Sequence, residues 1–255
     1  MSRKISTEHA WFAYVESVVD RPLLWESHCH ARYEMIGVLE GDVTVMSEGN
    51  RYRLTEGQVV ILPPFCYHTL TANRQGTYRR VTVQFEGEAI PPALRGRLTP
   101  EGDAAVFRCA DIEEIGQLCG RADPDFWAPL AEALAIRCFY ACAQAREEQG
   151  AGEADEFLQK AIAYIDGHLR ERLTLDDLAR ETSRSKSSFC HLFEEKMKIS
   201  PGQYILQKKM ALAQGMIRDG IPPTEVALRV GYENYGNFYR IYVKQFGKSP
   251  AKSKK

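Results

Sequence analysis

Two segments of the C-terminal half follow one plan, and this repetition constrains the fold more than any other feature of the 255 residues. The first, LTLDDLARETSRSKSSFCHLFEEKMKISPGQY, starts at Leu173; the second, IPPTEVALRVGYENYGNFYRIYVKQFGKSP, starts at Ile221. Aligned, Leu178 and Ala179 fall on Val226 and Ala227, Phe189 on Phe238, Phe193 on Tyr242, and Ser200 and Pro201 on Ser249 and Pro250. Each segment predicts a short helix, a turn, and a second helix that ends in Phe and a basic or polar tail. An internally duplicated helix-turn-helix unit accounts for the pattern. Ala179 and Ala227 stand where the two helices of a unit cross, so a small side chain permits close approach. The aromatic residues hold the second helix from beneath, which leaves its opposite face free to enter a DNA major groove.

Helical periodicity continues around these units in FLQKAIAYIDGHL and SPGQYILQKKMALAQGMIRDG, with Thr174 and Ser200 placed as N-terminal caps. The net charge of −1 conceals an asymmetry: residues 155–255 carry 18 Lys and Arg against 12 Asp and Glu, whereas residues 1–154 carry 15 against 22. A basic half joined to an acidic one fits a chain whose C-terminal part alone meets a polyanion.

These C-terminal residues, above all EVALRVGYENYGNFYRIYVKQFGKSP and the linker SPGQYILQKKMALAQGMI, resemble the DNA-binding domain of AraC-type (AraC/XylS family) transcription regulators. The resemblance implies two recognition helices set by one linker helix into successive major-groove segments. Carried over position by position, it implies groove-facing Lys186, Ser187, Cys190 and His191 in the first unit and Tyr235, Gly236, Tyr239 and Arg240 in the second. Arg240 is the best placed for a two-pronged bond to guanine, while Arg184, Lys186 and Lys244 suit phosphates. Two departures from the family pattern stand out. Lys198 occupies the usual glycine position, so the first recognition helix is expected to close differently, and the small Ser187 and Cys190 imply weak base reading by the first unit.

From Trp11 to about Glu86 short apolar runs such as EMIGVLEGDVTVMSEGN, RYRLTEGQVVILPPF and YRRVTVQFEG alternate with turn signals. They predict many short antiparallel strands closing into a β-barrel or sandwich. Two segments at helical spacing follow, and in PLAEALAIRCFYACAQAREEQ Leu130, Leu134, Ile136, Phe139 and Tyr140 can share a face. GAGE at 150–153 reads as a flexible boundary. The expected architecture is therefore α+β in two domains. Residues 1–150 form a cupin-like antiparallel β-barrel with following helices, for ligand sensing and dimerisation. Residues 151–255 form an all-α double helix-turn-helix domain.

His28, His30, Glu34 and Gly41 have the H-x-H-x3-E-x6-G spacing of the first cupin motif, and Gly57, Pro63 and His68 that of the second, with Phe65 and Ala72 departing from it. The resemblance implies a sensor barrel in which His28, His30, Glu34 and His68 either hold a divalent metal or line an organic-ligand pocket, or else serve the structure alone. An unbroken strand would carry Glu34 about 20 Å beyond His28. A single metal therefore requires a bend near Ala31 to Tyr33. Neutral imidazoles with one carboxylate suit Zn, Fe, Mn or Ni. Trp25, Tyr33 and Arg79 are the other pocket candidates, and the resemblance implies a sugar or another small metabolite as effector.

The remaining features narrow the class. The composition, 44% hydrophobic and 26% charged, fits soluble globular domains. Without a secretory signal or an apolar run of roughly 18 residues, the chain is expected in the cytoplasm and away from membranes. The seven cysteines include no CxxC pair, so reduced thiols rather than disulfides are expected, although Cys66 or the pair Cys138 and Cys142 could serve a thiol sensor. GxSxG, Walker and dinucleotide signatures are absent. The expectation is a non-enzymatic, homodimeric regulator that binds duplex DNA, an effector and RNA polymerase; the alternative is a metal-dependent cupin enzyme or a metal or thiol sensor fused to the DNA-binding domain.

Overall fold

The computed structural model describes residues 2–20, 23–24, 28–99, 103–121, 123–145 and 155–253. Trp25 and the GAGE stretch lie outside the described residues. The chain divides into two compact units, and the run 154–255 lies wholly in the second.

The first unit is built on antiparallel strands: β1 (Ser2–Ser6), β2 (Ala10–Val19), β3 (Leu23–Leu24), β4 (Tyr33–Glu40), β5 (Asp42–Ser47), β6 (Asn50–Thr55), β7 (Gln58–Leu62), β8 (His68–Ala72), β9 (Gly76–Phe85) and β10 (Ala105–Arg108). They form two sheets, ordered β1-β2-β9-β4-β7-β10 and β3-β8-β5-β6. The expected barrel or sandwich is thus realised as a pair of cupin-like sheets, not closed, with edge strands at β1, β10, β3 and β6. Three helices follow the strands or interrupt them: α1 (Pro92–Leu98), α2 (Ile112–Cys119) and α3 (Pro124–Gln144).

Alternation along each strand decides which side chains meet the helices. On the larger sheet Phe12, Met35, Leu39, Val81, Val83 and Phe85 share a core with Ile112, Ile115, Leu134 and Phe139 of α2 and α3. Residues one step out of phase, including Glu34, Ile36, Thr82 and Gln84, take the other face. A Cβ on Gly37 would overlap the Ile112 side chain, and one on Gly116 would press on Leu39, so these two glycines let α2 lie directly on β4.

Three expectations change here. Leu130 and Tyr140 are exposed, at 43% and 44%, while Leu134 and Phe139 are buried, so the predicted apolar face of α3 is split. Small Ala128, Ala131, Ala135, Cys138 and Cys142 form the buried row instead. Phe126–Gln144 also has the length and mean hydropathy, 1.2, that can cross a membrane, yet that row packs into the core of this unit. Finally, Cys109 and Cys138 are joined as a disulfide, 29 residues apart in sequence. Spacing alone gave no sign of it, because the pair meets only when α3 packs beside the end of β10.

The second unit is helical: α4 (Glu156–Gly167), α5 (Leu175–Glu181), α6 (Lys186–Met197), α7 (Pro201–Arg218), α8 (Pro223–Arg229) and α9 (Tyr235–Phe246). Two apolar clusters mark the duplicated units. One contains Leu178, Ala179, Phe189 and Phe193, and the other Val226, Ala227, Phe238 and Tyr242. All eight are buried at the aligned positions, and each fully buried aromatic contributes about 1.5–3 kcal/mol.

Candidate functional site

The two recognition helices start and end alike. The N-cap of α6 is Ser185, whose side chain accepts from the Ser188 amide at 3.3 Å; that of α9 is Asn234, accepting from Asn237 at 3.1 Å. The turn before each helix contains one left-handed residue, Ser183 (φ 54°) in the first unit and Gly231 (φ 79°) in the second. The next amide in each turn bonds back to the crossing alanine: Arg184 N to Ala179 O at 2.8 Å, and Tyr232 N to Ala227 O at 2.9 Å. Closure is also alike, since Lys198 (φ 57°) and Gly247 (φ 66°) both adopt the left-handed conformation and bond back to Glu194 and Val243. The different ending expected at Lys198 is therefore corrected. The backbone keeps the geometry of the second unit's cap and lysine bears the strain, about 1–2 kcal/mol.

The exposed faces differ. On α6, Lys186, Ser187 and His191 are exposed and Cys190 is half-buried against the first cluster. Lys186 is paired with Asp176 at 3.0 Å, and Arg184 lies over the Phe157 ring at 5.1 Å. On α9, Tyr235, Gly236, Tyr239, Arg240 and Lys244 are all exposed, the two tyrosines at 38% and 40% despite their size. Arg240 donates to Asn237 Oδ1 at 3.4 Å, a long surface bond that a base edge can replace. Exposed aromatic and guanidinium groups on one helix face fit nucleic-acid contact by both apolar packing and bidentate bonding.

The sequence reading missed two buried lysines on α7. Lys209 donates to the carbonyl of Glu171 at 2.7 Å and to that of Val230 at 3.0 Å, so one ammonium ties the segment before α5 to the end of α8. Burial lowers its pKa. A Cβ on Gly231 would come within 2.7 Å of the Glu171 carbonyl and 2.8 Å of Lys209 Nζ, which makes glycine necessary there on steric as well as dihedral grounds. Lys208 pairs with Asp166 at 2.9 Å. The signal available in the sequence was a Lys-Lys pair inside the otherwise amphipathic α7.

In the first unit Glu34 and His68 are both nearly inaccessible, and His68 Nε2 lies 3.2 Å from Glu34 Oε2. Gln84, which sits opposite Glu34 in the β4–β9 register, donates to the same oxygen at 3.3 Å. Register across strands, not spacing along one, brings it there, so the sequence reading did not find it. The bend required between His28 and Glu34 is present at residues 31–32, and β4 begins at Tyr33. The rings of His28 and His30 lie 5.4 Å apart. The imidazole of His68 and the carboxylate of Glu34 are two donors of the kind that a divalent ion takes.

The structure does not bring Tyr33 or Arg79 into that group. Tyr33 shares the core on the helix-facing side of the sheet. Arg79 pairs with Glu40 at 2.8 Å and Glu113 at 3.8 Å, beside a cavity of about 210 Å³ also lined by Tyr14, Glu16 and Gly116. Both are out of phase with Glu34 and Gln84, and period-two alternation sends them to the opposite face.

Comparisons with known proteins agree with the two-domain fold. Residues 24–153 match the model of the AraC-like ligand binding domain, and residues 178–255 that of a helix-turn-helix domain. The chain is 30% identical to the uncharacterized HTH-type transcriptional regulator YdiP of Escherichia coli K12, over 89% of this chain and 80% of that protein. It is 25% identical to the uncharacterized HTH-type regulator YobQ of Bacillus subtilis 168, over 89% of this chain and 88% of that protein. The regulatory protein SoxS of Escherichia coli K12 is 29% identical over 38% of this chain and 91% of its own length. The chain belongs to the AraC family: it is a DNA-binding helix-turn-helix transcription regulator with an AraC-like ligand-binding domain.

Proposed function

We propose that this regulator reads its operator chiefly through α9, with Arg240 contacting a base and Tyr235, Gly236 and Tyr239 against the groove floor or wall. Lys186, Ser187, Cys190 and His191 of α6, together with Arg184 and Lys244, then supply mostly backbone contacts. The observation that carries this reading is the contrast between the exposed Tyr235, Tyr239 and Arg240 on α9 and the paired Lys186 and half-buried Cys190 on α6. Selection of bound duplexes from a random pool tests it. A strong preference over one half-site and a weak one over the adjacent turn is expected; two equally defined half-sites would refute the asymmetry.

The protein acts in the cytoplasm without catalysing a reaction, responds to a sugar or another small metabolite, and works as a homodimer that engages RNA polymerase. Exposed Phe126 and Leu130, one turn apart on α3, support self-association, since adjacent large apolar side chains on a surface suit a partner. Effector binding changes DNA binding only to the extent that it favours one arrangement of the protein over another.

A second reading, in which His28, His30, Glu34 and His68 hold a metal, is favoured by one observation, the buried pairing of His68 with Glu34 at 3.2 Å. The donor set fits a borderline divalent ion, which would supply a Lewis-acidic anchor for an anionic or hydroxylated effector. Metal analysis of protein purified without chelator or affinity metal, beside a His28→Ala/His30→Ala variant, separates the readings. Stoichiometric metal lost in the variant supports a metal-dependent sensor; metal-free protein of both kinds leaves the residues to an organic-ligand pocket or to a structural role.

A further inference from the structure

Four sulfur atoms gather in the core of the first unit, and neither DNA binding nor the His and Glu group uses them. Cys109 follows β10, Cys138 and Cys142 lie one turn apart on α3, and Met35 points toward them from β4. The sulfurs of Cys109, Cys138 and Cys142 all lie within 4.8 Å of one another, and Cys138 Sγ is 3.6 Å from Met35 Sδ. All three cysteines are at most 2% exposed, in a cluster with Phe85, Phe107 and Phe139. Burial, with the nearby carboxylate of Asp111, pushes the Cys142 thiol up to about 12, so Cys142 is not a ready nucleophile.

Charge selects the guest for such a trio. A monovalent or divalent cation held by three thiolates leaves a net negative centre, which an apolar core disfavours. A trivalent centre held by three thiolates is neutral. We propose that Cys109, Cys138 and Cys142, when reduced, form a binding site for a trivalent thiophilic metalloid of the arsenite or antimonite class. Reduction consumes two small thiols: the Cys109–Cys138 bond takes up two electrons and two protons, and the small thiols leave as their disulfide. Binding then exchanges As(OH)₃ and three Cys–SH for As(S–Cys)₃ and three waters. Three As–O bonds break, three As–S bonds form, each thiol proton leaves on a hydroxide, and arsenic stays trivalent. The bound centre joins β10 to α3 through the two cysteines of the disulfide, with Cys142 added.

The test titrates the phosphine-reduced full chain with sodium arsenite under inert gas. Expected are one arsenic per chain, loss of three of the seven titratable thiols, and an X-ray absorption shell of sulfur without oxygen. Removing the third thiol in Cys142→Ser weakens uptake at least roughly tenfold. A variant with Cys29, Cys66, Cys119 and Cys190 all changed to Ser binds as the wild type does. No uptake by the reduced, folded protein, an arsenic–oxygen shell, or full uptake by Cys142→Ser overturns the proposal. Stronger binding of copper(I) than of arsenite by the same three thiols overturns the choice of a trivalent guest. Should Cys142→Ser fail to fold by circular dichroism, the absorption shell of the wild-type complex decides.

Discussion

The two helix-turn-helix units share a backbone and differ in what holds it. In the first, side chains do the work: Thr174 and Asp177 form a reciprocal capping box at α5, and Ser183 and Lys198 sit in left-handed conformations that suit glycine better. In the second, the backbone is eased by residue type, with Pro223 opening α8 without a side-chain cap and glycine at both left-handed positions. The freedom that glycine gives the second unit coincides with an exposed aromatic and guanidinium face on α9. The first unit presents a smaller, partly paired face on α6. The two copies thus share one backbone geometry and differ in the residues that hold it and in the side chains they expose.

The largest test of this contrast is at the turns. Gly231→Ala must accept a positive φ and press on the Glu171 carbonyl and Lys209, so a loss of about 3 kcal/mol is expected in urea unfolding. Ser183→Ala, at the aligned position, should cost less than about 1 kcal/mol because its left-handed strain is already present. Equal losses at the two positions would end the comparison. Next comes DNA contact: Arg240→Ala should weaken specific binding by about 1–3 kcal/mol and relax one position of the operator, whereas Lys186→Ala should lower affinity for all duplexes and reduce the salt slope by about 1. Fluorescence titrations on specific and random duplexes at several salt concentrations distinguish the two.

The cap is a smaller effect with a pH signature. Thr174→Ala should cost about 1 kcal/mol. Hydrogen bonds from Thr174 hold the Asp177 pKa below its usual value, so this contribution is complete above the unfolded carboxylate pKa and fades as pH falls through the lowered folded value. Acid unfolding curves of wild type and variant should therefore converge at low pH; a gap that stays constant there would place the Thr174 contribution elsewhere. The smallest effect sharpens the comparison. Lys198→Gly should stabilise the domain by about 0.5–1 kcal/mol, the left-handed strain relieved less the added freedom of the unfolded chain, and Gly247→Lys should do the reverse. Melting curves that leave Lys198→Gly unchanged would mean that lysine bears no strain at that cap.

The sequence alone determined the duplicated helical plan, the crossing alanines, the aromatic anchors and the caps at Thr174 and Ser200, because each depends on residues within a few turns of one another. It also determined the strand-rich character of the first unit, which alternation and turn signals required; the bend between His30 and Glu34 was only a condition for a shared metal. Tertiary structure decided what rests on meetings between distant segments. It chose two sheets between barrel and sandwich, and Gln84 joined Glu34 through strand register while Arg79 turned to the other face. Lys209 bridged two carbonyls, and Cys109 met Cys138. Periodicity reports which face of a segment is apolar, but not which segment will cover it; that choice belongs to packing, where a side chain's partner is set by the whole core rather than by its neighbours in the chain.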